Sequence, residues 1–192
     1  PDYTRAVSME AWSKGKDFTL IKILSPKKEK GISTLRRQEE MWNYFPKIKK
    51  RIKIPASMRG GSWMGSDFTN DDLVKQTHLA EDYKITQEDT SDLYILTLLP
   101  KEKTVTVWGR IELKVDKKTL TPTEQSYYDE KNIKVRSLFF LKLKKFGDKT
   151  IPSRLEMVPL HKKNHKTIIE YKKLEFDPVL KKDFFSYRNL ER

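Results

Sequence analysis

The stretch VTVWGRIELKV, residues 105–115, decides the fold class. Its positions Val105, Val107, Ile111 and Leu113 are apolar, while Thr106, Trp108, Arg110, Glu112 and Lys114 alternate with them. Side chains that change character at every second residue line the two faces of an extended strand, one dry and one wet. Residues 48–54 repeat the device, with Ile48, Ile52 and Ile54 set against Lys49, Arg51 and Lys53. No helix would gather those cations on one side.

Similar runs cover residues 3–12, 18–24, 41–45, 93–99, 135–143, 151–158 and 167–176. Short polar turns separate them: SKGK at 13–16, RRQEE at 36–40, EDTSD at 88–92, PKEK at 100–103, DKKT at 116–119, DEKN at 129–132 and FGDK at 146–149. Turn signals every ~8–12 residues mean hairpins, so the expectation is an antiparallel meander of about ten strands. Parallel pairing would need helical crossovers, for which the spacing leaves no room. Helices are expected to be few. Thr69, followed by Asn70, Asp71, Asp72 and Leu73, has a hydroxyl cap with a carboxylate three residues on, which predicts one or two helical turns. A second short turn is expected at 183–187, with Asp183 as its cap.

With 192 residues the chain suits one domain, or two small ones, and is long enough to bury a real core. Its hydrophobic fraction is only 36% against 35% charged, which favours an architecture with much surface per residue, such as one curved sheet. Net charge is +13, from 40 Lys and Arg against 27 Asp and Glu, and admits anionic partners: nucleic acid, lipid headgroups or an acidic protein. The lysines alternate with acids and spread over nearly all turns, so they read as the solvated coat of a wet sheet face, and no nucleic acid is expected as a partner. Absence of Cys excludes disulfides, thiolate metal sites and a cysteine nucleophile. No apolar run reaches the length of about 20 residues that spans a bilayer as a helix. The chain opens at Pro1 and enters a strand almost at once, which leads us to expect a trimmed or mature form whose precursor carried a targeting signal.

One segment departs from the basic background. GGSWMGSDFTNDDL, residues 60–73, holds three of the seven glycines, a Trp, a Met and a Phe, and no Lys or Arg. Such a loop acts either as a mobile cover over an apolar mouth or as a pinned piece of core. Asp67, Asp71 and Asp72 do not have the alternating spacing of a calcium loop, and helix capping accounts for them. His161 and His165 are four apart, a metal spacing only on a helix, whereas VPLHKKNHKT, residues 158–167, reads as a surface hairpin loop. No nucleophile elbow, phosphate loop or paired-carboxylate signature is present, so no enzyme and no cofactor are expected.

MWNYFPKIKKRIKIP, residues 41–55, followed by SWMGSDFTNDDL, resembles the outer-membrane lipoprotein-sorting proteins, a branch of the LolA and LolB lipoprotein-carrier superfamily. The matching positions are Met41, Trp42, Tyr44 and Pro46, then Trp63, Met64, Gly65, Ser66, Asp67 and Phe68. WSKGKDFTLIKILSPKKEKG near the start, VWGRIEL and RLEMVP later, and DFFSYRNL at the end extend the resemblance over essentially the whole chain.

The resemblance implies a mainly β protein: a strongly curved antiparallel half-barrel with one or two short helices on its concave side, a single domain over 1–192. The family has a helix before its first strand, and we expect that helix to be missing from this chain. It further implies a non-enzymatic periplasmic carrier of lipid or lipoprotein acyl chains, working with a membrane exporter or an outer-membrane acceptor. An adaptor that binds a polypeptide such as an exporter component is the alternative, and a basic anion- or nucleic-acid-binding β protein the third reading. Alternation and the loop nominate Ile21, Ile23, Trp42, Tyr44, Trp63, Met64, Phe68, Leu138 and Phe140 as ligand contacts. Leu20, Ile21, Ile23 and Leu24, like Leu138, Phe139, Phe140 and Leu141, are apolar on both faces of a strand, so something must cover each sheet.

Overall fold

The computed structural model describes residues 3–15, 17–70, 72, 79–104 and 106–192. Lys16, Asp71, Leu73 and Val105, which enter the turn, helix and strand readings above, lie outside the described residues. Among those described, twelve strands form two antiparallel meanders, one of five strands and one of seven. The chain divides into two compact units, Pro1–Gly61 with Val179–Arg192, and Ser62–Pro178.

The first unit holds β1 (Ser8–Lys14), β2 (Phe18–Ser25), β3 (Ser33–Arg37), β4 (Glu40–Phe45) and β5 (Lys50–Ile54), paired in chain order. Register sets Trp12, Leu20, Leu35 and Trp42 side by side across four strands. The adjacent row, Ala11, Ile21, Thr34, Asn43 and Ile52, therefore belongs to the opposite face. The chain's own C-terminal segment covers the first face. Phe184 packs edge-on against Trp12 at 5.4 Å between ring centroids, Phe185 lies 5.6 Å from Phe18, and Tyr187 lies 5.4 Å from Trp42. Leu190 is fully buried in the same cluster as Leu20 and Leu35.

Several sequence expectations shift here. The helical turn near the C-terminus is Tyr187–Leu190, capped by Ser186, whose Oγ accepts from the Asn189 N–H at 3.4 Å; it is not at 183–187 with Asp183 as cap. In a helix Phe184 and Phe185 would point about 100° apart, and bent backbone lets both rings reach the sheet. The first strand begins at Ser8 rather than Tyr3, and Ile48 sits in the β4–β5 turn rather than in a strand. β3 went unread because its sequence, STLRR, has a single apolar residue; its Ser33, Thr34 and Arg36 are buried all the same.

After a short helix, Leu79–Asp82, the second unit runs through β6 (Tyr83–Asp89), β7 (Leu93–Pro100), β8 (Arg110–Asp116), β9 (Pro122–Tyr128), β10 (Lys134–Phe146), β11 (Lys149–Pro159) and β12 (Thr167–Glu170). Among the described residues of the deciding stretch, strand begins at Arg110. Residues 106–109 are held off the ladder where Gly109 crosses the β9 end: a Cβ there would lie 2.5 Å from the Asp129 carbonyl oxygen, and Trp108 instead lays its ring 5.0 Å from Tyr127. The run 167–176 ends as strand at Glu170. β6 and β9 are too polar for the alternation to reveal them.

A bulge organises the two faces of this sheet. The β9–β10 register shifts between Lys134 and Arg136, so two residues of like parity go to opposite faces. Lys134 joins the polar face and Arg136 the apolar one. On the polar face, Glu124 accepts from Lys134 at 2.8 Å, Lys114 at 2.9 Å, Ser126 at 2.9 Å and Ser137 at 3.2 Å. Arg154 pairs with Glu156 and, across the strands, with Glu170 at 2.6 Å. Lysines of this face are thus cross-strand partners as well as a coat.

Burial alone would raise the Glu124 pKa, but the hydrogen bonds from Lys134, Lys114 and Ser126 outweigh it and pull the group from the usual 4.5 down to about 2. Because the folded value lies below the unfolded one, the stabilisation is complete above about pH 4.5 and is lost as pH falls toward 2. With screening at the half-exposed lysines, it amounts to about 2 kcal/mol. Glu124→Gln should therefore lose that much in urea unfolding near neutral pH, and the gap to the parent should close in acid; a gap that stays constant with pH would give it a non-electrostatic origin.

Candidate ligand-binding face

The apolar face of the seven-stranded sheet is built from cross-strand rows. Leu98, Ile111, Tyr127 and Arg136 form one, and Leu96, Leu113, Gln125, Leu138, Met157 and Thr167 the next. Phe140, Leu155 and Ile169 continue beside them. Leu98, Ile111, Tyr127, Leu138, Leu155 and Met157 are buried, whereas Leu96, Leu113, Phe140 and Ile169 at the margin are only partly so. The face thus has a fixed centre and an apolar border that remains accessible.

Residues 62–69 close on themselves against this face. The Trp63 N–H donates to the Phe68 carbonyl at 2.8 Å, the Ser66 Oγ–H to the Trp63 carbonyl at 2.7 Å, and Ser62 and Thr69 form a β-bridge. Met64 and Gly65 take left-handed backbone at the tip, with φ of 54° and 74°, a conformation that costs glycine little. Phe68 enters the core cluster and Trp63 is buried, while Met64 stays half-exposed.

The expected capping box is present. The Thr69 N–H donates to Asp72 Oδ2 at 2.7 Å, and the Asp72 N–H donates to Thr69 Oγ1 at 3.1 Å. Asp72 also receives both arms of Arg136, at 2.9 and 2.5 Å, with each side chain about 95% buried. Arg136 lies over the rings of Tyr127, at 4.2 Å, and Trp108, at 4.5 Å, and donates to the Asp67 carbonyl at 3.1 Å. One guanidinium therefore ties loop, helix start and sheet together, and planarity with fixed donors suits arginine to the task.

Asp67 is not a capping residue, contrary to expectation. Its buried carboxylate accepts from Thr167 Oγ1 at 2.7 Å and lies 3.0 Å from His165 Nδ1 and 3.6 Å from Lys162 Nζ, fastening the loop to the β11–β12 connection. His161 and His165 lie on that connection, outside any helix. Among the described residues, no group of three or more His, Asp or Glu is placed to hold a metal ion.

The nine nominated contacts are divided between the two units. Phe68, Leu138 and Phe140 share the apolar face of the second unit. Trp42 and Tyr44 pack under the C-terminal segment of the first unit, whereas Ile21 and Ile23 are buried, with Ile21 in the row of the opposite face. Missed were Leu96, Leu113, Ile169 and Arg136. The run LYILTLLP carried a signal for the first, but nothing local marks a buried arginine.

Three solved structures share this fold. A domain named for outer membrane lipoprotein sorting, from Vibrio parahaemolyticus, aligns with a TM-score of 0.82 at 22% identity, over 97% of this chain and 83% of that one. A DUF1329 family protein from Desulfovibrio piger gives 0.81 at 26% identity, over 95% and 81%. A LolA superfamily protein from Nitrosomonas europaea gives 0.77 at 18% identity, over 98% and 86%. The fold is therefore mainly β, antiparallel and LolA-like. A family model described as "Uncharacterized protein" matches residues 15–192, and the chain belongs to that family. No curated protein matches it.

Proposed function

We propose that this protein is a non-enzymatic periplasmic carrier of lipid or lipoprotein acyl chains, serving outer-membrane lipoprotein sorting or lipid transport as one LolA-like domain. The observation that carries the reading is the apolar face of the seven-stranded sheet, with its accessible border of Leu96, Leu113, Phe140 and Ile169. Likeness to a LolA superfamily protein and to a domain named for lipoprotein sorting supports it. Each methylene moved from water onto such a face is worth about 0.8 kcal/mol, so a dozen contribute roughly 10 kcal/mol before ordering costs, enough for reversible micromolar binding. Non-directional contact accepts chains of varied length without a catalytic group.

The test is a titration with a fluorescent fatty acid. Leu113→Asn and Phe140→Ser should each weaken binding about tenfold, because a polar atom replaces apolar contact at the border. Leu24→Ser, at an exposed site of the other sheet, should leave the affinity unchanged. Equal affinities in all three variants would sink this placement. Native mass spectrometry separates the adaptor alternative, for which detergent-free protein should carry no lipid-sized mass.

A further inference from the structure

The two turns at one end of the five-stranded sheet form a distinct surface. In an antiparallel meander the β2–β3 and β4–β5 turns emerge from the same edge, and here they touch: a Cβ on Gly31, at φ 84°, would come within 3.2 Å of the Pro46 ring. Residues 26–31 and 46–50 carry Lys27, Lys28, Lys30, Lys47, Lys49 and Lys50 against one acid, Glu29. These eleven residues therefore hold +5 of a chain total of +13.

The acid does not neutralise the lysines. Arg5 holds the Glu29 carboxylate through both its Nε, at 3.0 Å, and its Nη2, and keeps its pKa below the usual carboxylate range. All six lysines are exposed, and none makes an ion pair among the described residues. Lys114 and Lys134, by contrast, are consumed by Glu124. Among the unpaired charges stands Ile48, 58% exposed at the tip of the second turn, and Leu24, 41% exposed, flanks the first.

We propose that this end of the sheet docks the protein on an anionic phospholipid bilayer. Compact ammonium groups on flexible stems suit a diffuse layer of headgroup phosphates, where bidentate pairing would instead call for arginine. An apolar side chain lifted above a ring of lysines can enter the headgroup boundary while the lysines stay at the phosphates. No aromatic ring lies within the two turns to stack on a base, so nucleic acid fits less well. Backbone bonds within each turn, from Lys30 N–H to the Pro26 carbonyl at 3.0 Å and from Lys49 N–H to the Pro46 carbonyl at 3.2 Å, preset the surface before contact.

The experiment is sedimentation of the 192-residue protein with vesicles of phosphatidylcholine containing about 30% phosphatidylglycerol, at low and high salt, against pure phosphatidylcholine. The parent should bind the anionic vesicles, and added salt should weaken that binding. Lys27→Glu/Lys28→Glu/Lys47→Glu should lower partitioning at least about thirty-fold, and Ile48→Ser a few-fold. A control with the same charge change on exposed, unpaired lysines elsewhere, Lys131→Glu/Lys172→Glu/Lys181→Glu, should lose less than about five-fold. Circular dichroism checks that each variant is folded. Equal losses in the two triple variants would make the charge a general coat and overturn the proposal, as would equal binding to neutral vesicles. Turn-dependent binding to a DNA duplex without vesicle binding would assign the surface to nucleic acid instead. No acyl ligand enters this assay, so its outcome is read separately from the fatty-acid titration.

Discussion

A chain ending at Pro178 is expected to lose the five-stranded sheet as a folded unit. The removed segment brings Phe184, Phe185, Tyr187 and Leu190 onto Trp12, Phe18, Leu20, Leu35 and Trp42, and Leu190 is fully buried there. Four large apolar side chains at about 2 kcal/mol each amount to roughly 8 kcal/mol, comparable with the whole stability of a domain. Polar anchors go with them: Ser33 Oγ–H donates to the Leu190 carbonyl, and Arg51 pairs with Glu191 at 3.0 Å while stacking on Tyr187 at 4.2 Å. The truncated chain should show a lost or much lowered thermal transition and strong binding of an apolar dye. Leu190→Ala isolates the packing component and should cost about 2–5 kcal/mol in denaturant unfolding. Unchanged midpoints in both proteins would show that the segment is dispensable.

Asp72→Ala should be the most damaging single substitution in the second unit, at about 3–5 kcal/mol. It leaves the Arg136 guanidinium buried without its carboxylate, and arginine cannot escape by losing a proton. Half of the capping box is also lost, since the same carboxylate accepts the Thr69 N–H. Arg136→Met should be milder, because the Asp72 carboxylate keeps its bond from the Thr69 N–H. Combining Asp72→Leu with Arg136→Met should recover much of the loss, as replacement of a whole buried pair by apolar groups is often near neutral. A double variant as unstable as Asp72→Ala would place the cost in the loop's backbone rather than in the orphaned charge. Arg136→Lys does not rescue, because an ammonium cannot fill two arms and stack on two rings.

The alternation in Ile111, Leu113 and Lys114, with turns such as DKKT and DEKN, was enough to read antiparallel hairpins in meander order, and Thr69 with Asp72 was enough to read a capping box. These are local features: a period of two and a spacing of three are set by bond geometry within a few residues. Which face of each strand turns inward was not legible, because it depends on partners far along the chain. The extra residue between Lys134 and Arg136 sends one cation to Glu124 and the other beneath Trp108 and Tyr127. β3 and β9 carry Thr34, Gln125 and Ser126 into buried positions that composition would assign to solvent, since Asn43 on the next strand and Tyr127 and Glu124 on β9 itself satisfy their hydrogen bonds. The separation of Trp42 from Ile21 and the covering of Leu35 by Leu190 follow in the same way from register and from a contact across most of the chain. Sequence alone determined that the chain makes antiparallel strands joined by hairpins, because alternation and turn chemistry are local; tertiary structure alone decided that the strands part into two sheets and what covers each side, because burial is settled between residues that the chain keeps far apart.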